Sequence, residues 1–253
     1  MKVTTGRIVS TEHVFGDTYR TWFEAPLLLQ GAHPGQFLMF RLPDRTDPLL
    51  PRPMSYHTIR PDGQVAILYE VCGKGTDLLS HQPADSPVTL WGPLGRGFTV
   101  RPDAKNLLLV AGGMGIAPLV WLAEESISQG KSVTCIVGAR TSALLPPATL
   151  LPPKVKIVAT TEDGSMGRKG FATQPFEELL PRSDQVFACG PRPMYAAMAE
   201  VVRRLESRTS VQVLLETNMA CGVGLCYGCA VETKKGIKQV CRDGPRFELR
   251  EVF

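Results

Sequence analysis

Four of the seven cysteines crowd into one stretch, Cys221-Gly222-Val223-Gly224-Leu225-Cys226-Tyr227-Gly228-Cys229 followed, after eleven intervening residues, by Cys241. No other feature constrains the chain so tightly. A C-x4-C-x2-C run with a more distant fourth cysteine has the spacing that grips a [2Fe–2S] cluster. Two irons bridged by two sulfides need four thiolates, two on each iron; a tight loop supplies three, and a separate segment closes the cage. Gly222, Gly224 and Gly228 suit such a loop, because glycine allows left-handed turns and lets amide N–H groups come close to sulfur. Those hydrogen bonds help set a cluster's reduction potential. A structural zinc site also takes four cysteines, but usually as two short C-x2-4-C knuckles, whereas Cys241 stands alone. Four unligated thiols would leave the glycine pattern without a reason.

The odd cysteine count, with Cys72, Cys135 and Cys189 making up the seven, argues against a disulfide framework. The run Met1-Lys2-Val3-Thr4-Thr5-Gly6-Arg7 lacks the apolar core of a secretory signal. No apolar run approaches the roughly 18 residues of a transmembrane segment. A cytoplasmic enzyme is the expectation. With 253 residues the chain can bury the cores of two domains and carry a small appendage. A net charge of +4 is too mild to point to nucleic acid, and no aromatic platform sits among the basic residues. From Lys234 to Arg250, however, Lys234, Lys235, Lys238, Arg242, Arg246 and Arg250 face only Asp243 and Glu248. That run is either a solvated tail or a docking surface for an acidic partner.

The chain changes texture along its length. Residues 1–100 read as short strands, such as Phe37 to Leu42 and Gln64 to Val71, punctuated by Pro34-Gly35, Pro61-Asp62-Gly63 and Gly92-Pro93-Leu94-Gly95. Many short strands with little helical periodicity predict an antiparallel β-barrel. Residues 101–210 alternate strand and helix: Leu107 to Val110, Val133 to Val137, Val155 to Ala159 and Gln185 to Ala188 are strand-like, and Val211 to Leu215 just beyond them would be a fifth strand. Pro118 to Gln129, Gln174 to Leu180 and Arg192 to Ser207 read as helices. This alternation predicts an α/β domain built on a parallel sheet. The prolines at 146, 147, 152 and 153 rule out a long helix in the second crossover. Residues 211–253 then form a small cluster-binding subdomain.

Ala111-Gly112-Gly113-Met114-Gly115-Ile116-Ala117-Pro118 joins the first of those strands to its helix. Small residues let a pyrophosphate approach backbone amides, and a helix N-terminus favours its negative charge. Pro118 stands where a dinucleotide fingerprint has its last glycine, and proline is tolerated in a first helical turn. The bland alternative is a close-packed strand–helix turn. Two further loops, around Asp163 in Thr161-Glu162-Asp163-Gly164 and in Cys189-Gly190-Pro191, leave the same sheet edge. Ligands of parallel sheets bind at that edge. Arg140 would suit a 2′-phosphate, or it is a surface arginine; these residues alone do not decide between NAD and NADP.

Arg52-Pro53-Met54-Ser55-Tyr56 in the barrel half is similar to the R-x-Y/F-S flavin motif of the ferredoxin–NADP reductase superfamily. The order of barrel, nucleotide domain and terminal cluster, with Glu216-Thr217-Asn218-Met219-Ala220 before the cysteines, extends the likeness. The whole chain resembles the electron-transfer subunits of NAD-linked (class IB) dihydroorotate dehydrogenases. That resemblance implies FAD held by Arg52, Pro53, Met54 and Ser55, with Tyr69, Glu70 and Val71 along the isoalloxazine and Gly75-Thr76 capping the pyrophosphate. It implies NAD at Gly112, Gly113, Gly115, Pro118, Asp163, Cys189, Gly190 and Pro191, and a [2Fe–2S] cluster on Cys221, Cys226, Cys229 and Cys241. No residue is implied as acid or base. It further implies a partner subunit that oxidises dihydroorotate on FMN, two of each chain in the complex, and a place in pyrimidine biosynthesis. Cys189 would lie near the nicotinamide or be a buried structural thiol, and Glu216 would stand between cluster and flavin or simply end a strand. A reductase subunit of the same build serving a sulfite reductase, hydrogenase or transhydrogenase is the alternative. Tyr56 and His57 depart from the aliphatic residue expected after the serine, and His57 reads as a local hydrogen-bonding residue.

Overall fold

The computed structural model describes residues 1–43 and 47–253. The first half contains strands β1 (Lys2–Phe15), β2 (Thr18–Glu24), β3 (Phe37–Arg41), β4 (Arg52–Ser55), β5 (Thr58–Ile59), β6 (Gln64–Glu70), helix α1 (Lys74–Ser80) and strand β7 (Pro87–Leu94). Among the described residues these strands form one antiparallel sheet in the order β4-β3-β7-β1-β2-β6-β5. Its two edges, β4 and β5, are separated in sequence only by Tyr56 and His57, so the sheet closes on itself. Tyr56 donates its N–H to Gln36 O at one edge (3.2 Å), and His57 donates to Ala66 O at the other (2.9 Å).

Two barrel strands read as unbroken apolar runs because both their faces are covered. On β6, Val65, Ile67 and Tyr69 point into the barrel, while Leu68 packs against the second half of the chain. On β3, Leu38 and Phe40 point inward, while Phe37 and Met39 pack against the C-terminal segment. Each such buried side chain contributes about 1.5–3 kcal/mol, so the barrel is joined to the rest of the molecule through its own strands.

The second half runs β8 (Asn106–Gly112), α2 (Leu119–Ser128), β9 (Ser132–Ala139), β10 (Lys156–Thr161), β11 (Arg168–Lys169), α3 (Thr173–Leu179), β12 (Gln185–Cys189), α4 (Arg192–Arg204) and β13 (Ser210–Leu214). The strands lie in the order β11-β10-β9-β8-β12-β13, all parallel. As the prolines require, 3-10 turns at Ser142–Leu144 and Ala148–Leu150 replace a helix between β9 and β10. Helix α4 buries Met194, Tyr195, Met198, Ala199, Val201 and Val202, a stripe at helical spacing, and leaves Arg203 and Arg204 in its last turn.

The segment between the halves is pinned by two buried glutamines. Thr99 N donates to Gln212 Oε1 (2.9 Å), and Thr99 O accepts from Gln185 Nε2 (2.7 Å) and Gln212 Nε2 (3.0 Å). The C-terminal segment adds the hairpin β14 (Ala230–Thr233) and β15 (Gly236–Gln239), helix α5 (Val240–Asp243), and strand β16 (Arg246–Glu248), which pairs antiparallel with β13. The cysteine loop is therefore tied to the parallel sheet while resting on the barrel.

Candidate functional site

The cysteine loop turns on left-handed residues: Gly222 has φ +70°, Gly224 +83° and Tyr227 +58°. These turns aim amides at sulfur. Val223 N and Leu225 N donate to Cys221 Sγ at 3.4 and 3.3 Å, and Gly224 N donates to Cys241 Sγ at 3.1 Å. The thiols fall into pairs. Cys229 Sγ and Cys241 Sγ stand 3.3 Å apart and are buried, while Cys221 and Cys226 are within hydrogen-bonding reach of each other nearer the surface. Burial would raise the Cys221 thiol, but amide N–H groups led by Val223 outweigh it and bring it down to about 6. Burial and the Cys229 neighbour push Cys241 up to about 12. Among the described residues, no three His, Cys, Asp or Glu side chains converge on one ion position. Two adjoining pairs with amides aimed at their sulfurs suit two irons with two thiolates each, not a single zinc ion.

At the open end of the barrel, Arg52 reaches from β4 across the first turn of α1, so that a Cβ on Gly75 would fall on its guanidinium. Arg52 Nη1 also donates to Leu50 O. The amides of Gly75 and Thr76 lie in the first turn of α1, where no carbonyl one turn earlier is available to them. A guanidinium above two such amides is a cradle for a phosphate. Thr76 stiffens it: its Oγ1 accepts from Cys72 N (3.1 Å) and Gly73 N (3.3 Å). Pro53, Met54 and Ser55 are half-buried along β4, and Val71 is anchored through its N–H to Asp17 O (2.9 Å). Tyr69 differs from the expectation for its side chain. Its ring is 3% exposed inside the barrel, bonded to Thr21 Oγ1 at 3.0 Å, and burial pushes its hydroxyl up to about 12. Alternation along β6 turns the Tyr69 ring inward and Glu70 outward.

Counting the parallel strands from β8, their order is 4-3-2-1-5-6, and loops leaving β8 and β12 diverge at the switch between them. A cleft of about 610 Å³ opens there. Gly112, Gly113 and Pro191 line it, as do Arg140, Glu162 and Phe171 from neighbouring loops and Glu70 with residues 15–18 from the barrel. Thr18 Oγ1 donates to Met114 Sδ (3.5 Å), which joins the barrel hairpin to the glycine loop.

Other residues singled out in the sequence lie elsewhere. Gly115 packs against the end of β12: a Cβ there would fall on the carbonyl oxygen of Cys189. Pro118 is buried at the start of α2, behind a 3-10 turn at Gly113–Ile116, so that helix start does not form part of the cleft wall. Asp163 is exposed and its carboxylate is held low by the Ser165 hydroxyl and N–H; its neighbour Glu162 faces the cleft instead. Cys189 is 1% exposed and donates to Glu216 Oε1 at 3.6 Å. Burial first, then the Glu216 carboxylate, raises the Cys189 thiol. Glu216 opens to solvent on one side, yet the protein crowding it raises its carboxyl as well. Gly190 N donates to Tyr195 Oη (2.9 Å), and Tyr195 donates to Leu214 O (2.6 Å), which fixes the Cys189-Gly190-Pro191 loop.

Glu162, Phe171 and the 15–18 hairpin were not foreseen in the sequence. The only trace of Glu162 was its place in a loop after a strand. Of the basic run, Lys234 and Arg246 are used internally, donating to Phe253 O and Gly97 O, and Lys235 pairs with Glu251 at 3.8 Å.

A barrel with a phosphate cradle, set against a parallel sheet with a cleft at its switch point, defines a reductase of the ferredoxin–NADP reductase fold. A ferredoxin–NADP+ reductase from Neisseria gonorrhoeae, solved with bound FAD and NADP, shares this fold: TM-score 0.65, 19% identity, 81% of this chain and 92% of that one. A chain of the NADH-dependent reduced ferredoxin–NADP oxidoreductase, solved for insight into flavin-based electron bifurcation, is similar throughout. It gives a TM-score of 0.87 and 29% identity over 99% of this chain and 90% of its own. Residues 216–253 match the iron–sulfur cluster binding domain of dihydroorotate dehydrogenase B. The electron transfer subunit of dihydroorotate dehydrogenase B (NAD(+)) from Desulforamulus reducens is 35% identical, covering 99% of this chain and 98% of that one. The chain belongs to the family of dihydroorotate dehydrogenase B electron transfer subunits.

Proposed function

We propose that the chain carries electrons between a dihydroorotate-oxidising partner and NAD+, as an iron–sulfur flavoprotein subunit acting in pyrimidine biosynthesis. The observation that carries this reading is the pairing of the four thiols, one pair buried against the barrel and one near the surface, in a chain that covers 98% of the Desulforamulus reducens relative. Cys221, Cys226, Cys229 and Cys241 hold the [2Fe–2S] cluster. Arg52 with the Gly75 and Thr76 amides holds the FAD pyrophosphate; Pro53, Met54, Ser55, Glu70 and Val71 border the isoalloxazine, Val71 through its backbone, and Tyr69 supports it from inside the barrel. NAD lies in the cleft on Gly112, Gly113 and Pro191, with Gly115, Pro118, Cys189 and Gly190 shaping the loops beneath and Asp163 turning the loop that presents Glu162. Residues 1–100, 101–210 and 211–253 divide these three tasks.

When bound, these groups supply stepwise one-electron transfer at the cluster and two-electron transfer at the flavin, two electrons and one proton leaving as hydride to NAD+. The protein's part is to orient and to exclude water. The Cys189–Glu216 contact, in which burial raises both the thiol and the carboxyl, stands beside the nucleotide loops. Exposed Leu225 (79%) and Tyr227 (65%) flank Cys226 and give the partner an apolar landing next to the outer thiol pair. The partner holds FMN, and the complex contains two of each chain. Seven cysteines with no disulfide among the described residues suit a reducing compartment, and we place the protein in the cytoplasm; among the described residues no helix is long and apolar enough to cross a membrane.

A transhydrogenase-type reductase subunit is the second reading, favoured only by the likeness over 99% of the chain to the bifurcating enzyme. The native complex, isolated without oxygen and mixed with dihydroorotate, separates the two. Bleaching of its flavin bands, followed by NAD+ reduction, is expected; a complex whose flavin ignores dihydroorotate but responds to reduced ferredoxin contradicts the assignment.

A further inference from the structure

Met39 on β3 has no exposed surface and shares an apolar cluster with Phe37, Leu94, Cys229 and Cys241. Two contacts distinguish it. Toward the cysteine loop, its Cγ and Sδ stand 2.9 and 3.1 Å from the position a Cβ would take on Gly222, the residue after Cys221. The thioether therefore presses on backbone beside a cluster ligand, at a glycine whose φ of +70° already excludes most side chains. Toward the barrel end, Met39 pairs with Pro53 across the β3–β4 ladder, and cross-strand partners share a face of the sheet. Pro53 stands between Arg52 and Met54. One buried side chain thus touches the loop that carries a cluster ligand and backs the strand that carries the flavin residues.

We propose that Met39 is a positioning residue for electron transfer, filling the space between the cluster loop and the flavin strand so that their separation is fixed and water is kept out. The inference rests on the cluster and flavin assignments above. One electron crosses this wall in each step, with no bond made or broken, and NADH supplies or NAD+ removes electrons in pairs on the flavin side. Methionine suits the place, since its unbranched, polarizable side chain fills irregular gaps. Leucine has a similar volume and keeps most of the contact, whereas alanine leaves a cavity.

The test uses the full chain loaded with FAD and cluster, as wild type, Met39→Leu and Met39→Ala, mixed with NADH without oxygen. Flavin and cluster absorbance are followed separately, and cluster rates are scaled to iron content. Flavin reduction keeps its rate in all three, cluster reduction slows several-fold in Met39→Ala and recovers in Met39→Leu, and a chelator draws iron faster from Met39→Ala than from the other two. If Met39→Ala fails to retain iron, Met39→Val carries the same comparison. Cluster reduction at the wild-type rate in an iron-replete small-residue variant overturns the proposal, as does equal slowing of flavin and cluster. Wild-type protein that binds FAD but no iron overturns the cluster assignment itself, a separate and recognisable result.

Discussion

Gly113 and Gly115 lie two positions apart in one loop and have different reasons to lack a side chain. At Gly115 the obstacle is the carbonyl of Cys189 on the neighbouring strand; at Gly113 there is open space, and the constraint is a φ of +55°. Gly115→Ala is expected to cost about 3 kcal/mol, the upper end for overpacking between rigid elements, and Gly113→Ala about 1 kcal/mol for the left-handed backbone. Urea unfolding midpoints of the two variants check this; equal losses would show that the loop is not wedged against β12. The glycine loop was legible as a pattern, but which glycine faces the cleft was not, because that depends on a strand more than 70 residues away in sequence. The four clustered cysteines stood out by their spacing, and the structure brings their thiols together in two pairs. Glu162 was hidden for the opposite reason: a lone carboxylate after a strand gains meaning only when a parallel neighbour brings it beside Arg140.

The segment between β4 and β5 clasps the barrel to α2. His57 Nδ1 donates to Ala117 O (2.9 Å), Trp121 N donates to His57 O (3.0 Å), and Thr58 Oγ1 donates to Glu124 Oε2 (2.5 Å). His57 is fully buried, its Nε2 has no hydrogen-bond partner among the described residues, and burial lowers its pKa to about 4. The unfolded chain takes up the proton from about pH 6.5, whereas the folded chain resists it until about pH 4. The stability that a neutral His57 provides is therefore complete above about pH 6.5 and is lost as pH falls toward 4, by up to about 3 kcal/mol. His57→Gln, which cannot take the proton, is expected to flatten that part of the curve of urea midpoint against pH; identical curves for variant and wild type would contradict it. At this scale the sequence anticipated the strands and helices with strong periodicity and the proline-broken second crossover. It did not reveal β11 or β16, two- and three-residue edges that only pairing defines. Tyr69 stood open between a flavin-lining and a barrel-core residue, since β6 is apolar on both faces and alternation carries no signal there; the structure places its ring in the barrel core.

In the whole molecule, the cysteine segment is a corner brace: β16 extends the parallel sheet through β13, while Gly222 rests on Met39 and Leu94 of the barrel. Barrel, parallel sheet and cysteine loop therefore share one apolar cluster. The passage from an antiparallel sheet to a parallel one was readable from the change in strand and helix texture. Their mutual docking was not, because the contacts that create it join residues as distant as Met39 and Gly222. The central claim is that the four paired thiols hold two bridged irons rather than zinc or nothing. It is tested most directly by iron, zinc and acid-labile sulfide analysis of the chain purified without oxygen, read together with its dithionite-reduced electron paramagnetic resonance spectrum. About two irons and two sulfides per chain, with a signal from a reduced cluster, are predicted. Stoichiometric zinc, or metal-free protein that reconstitution leaves colourless apart from flavin, would contradict the account.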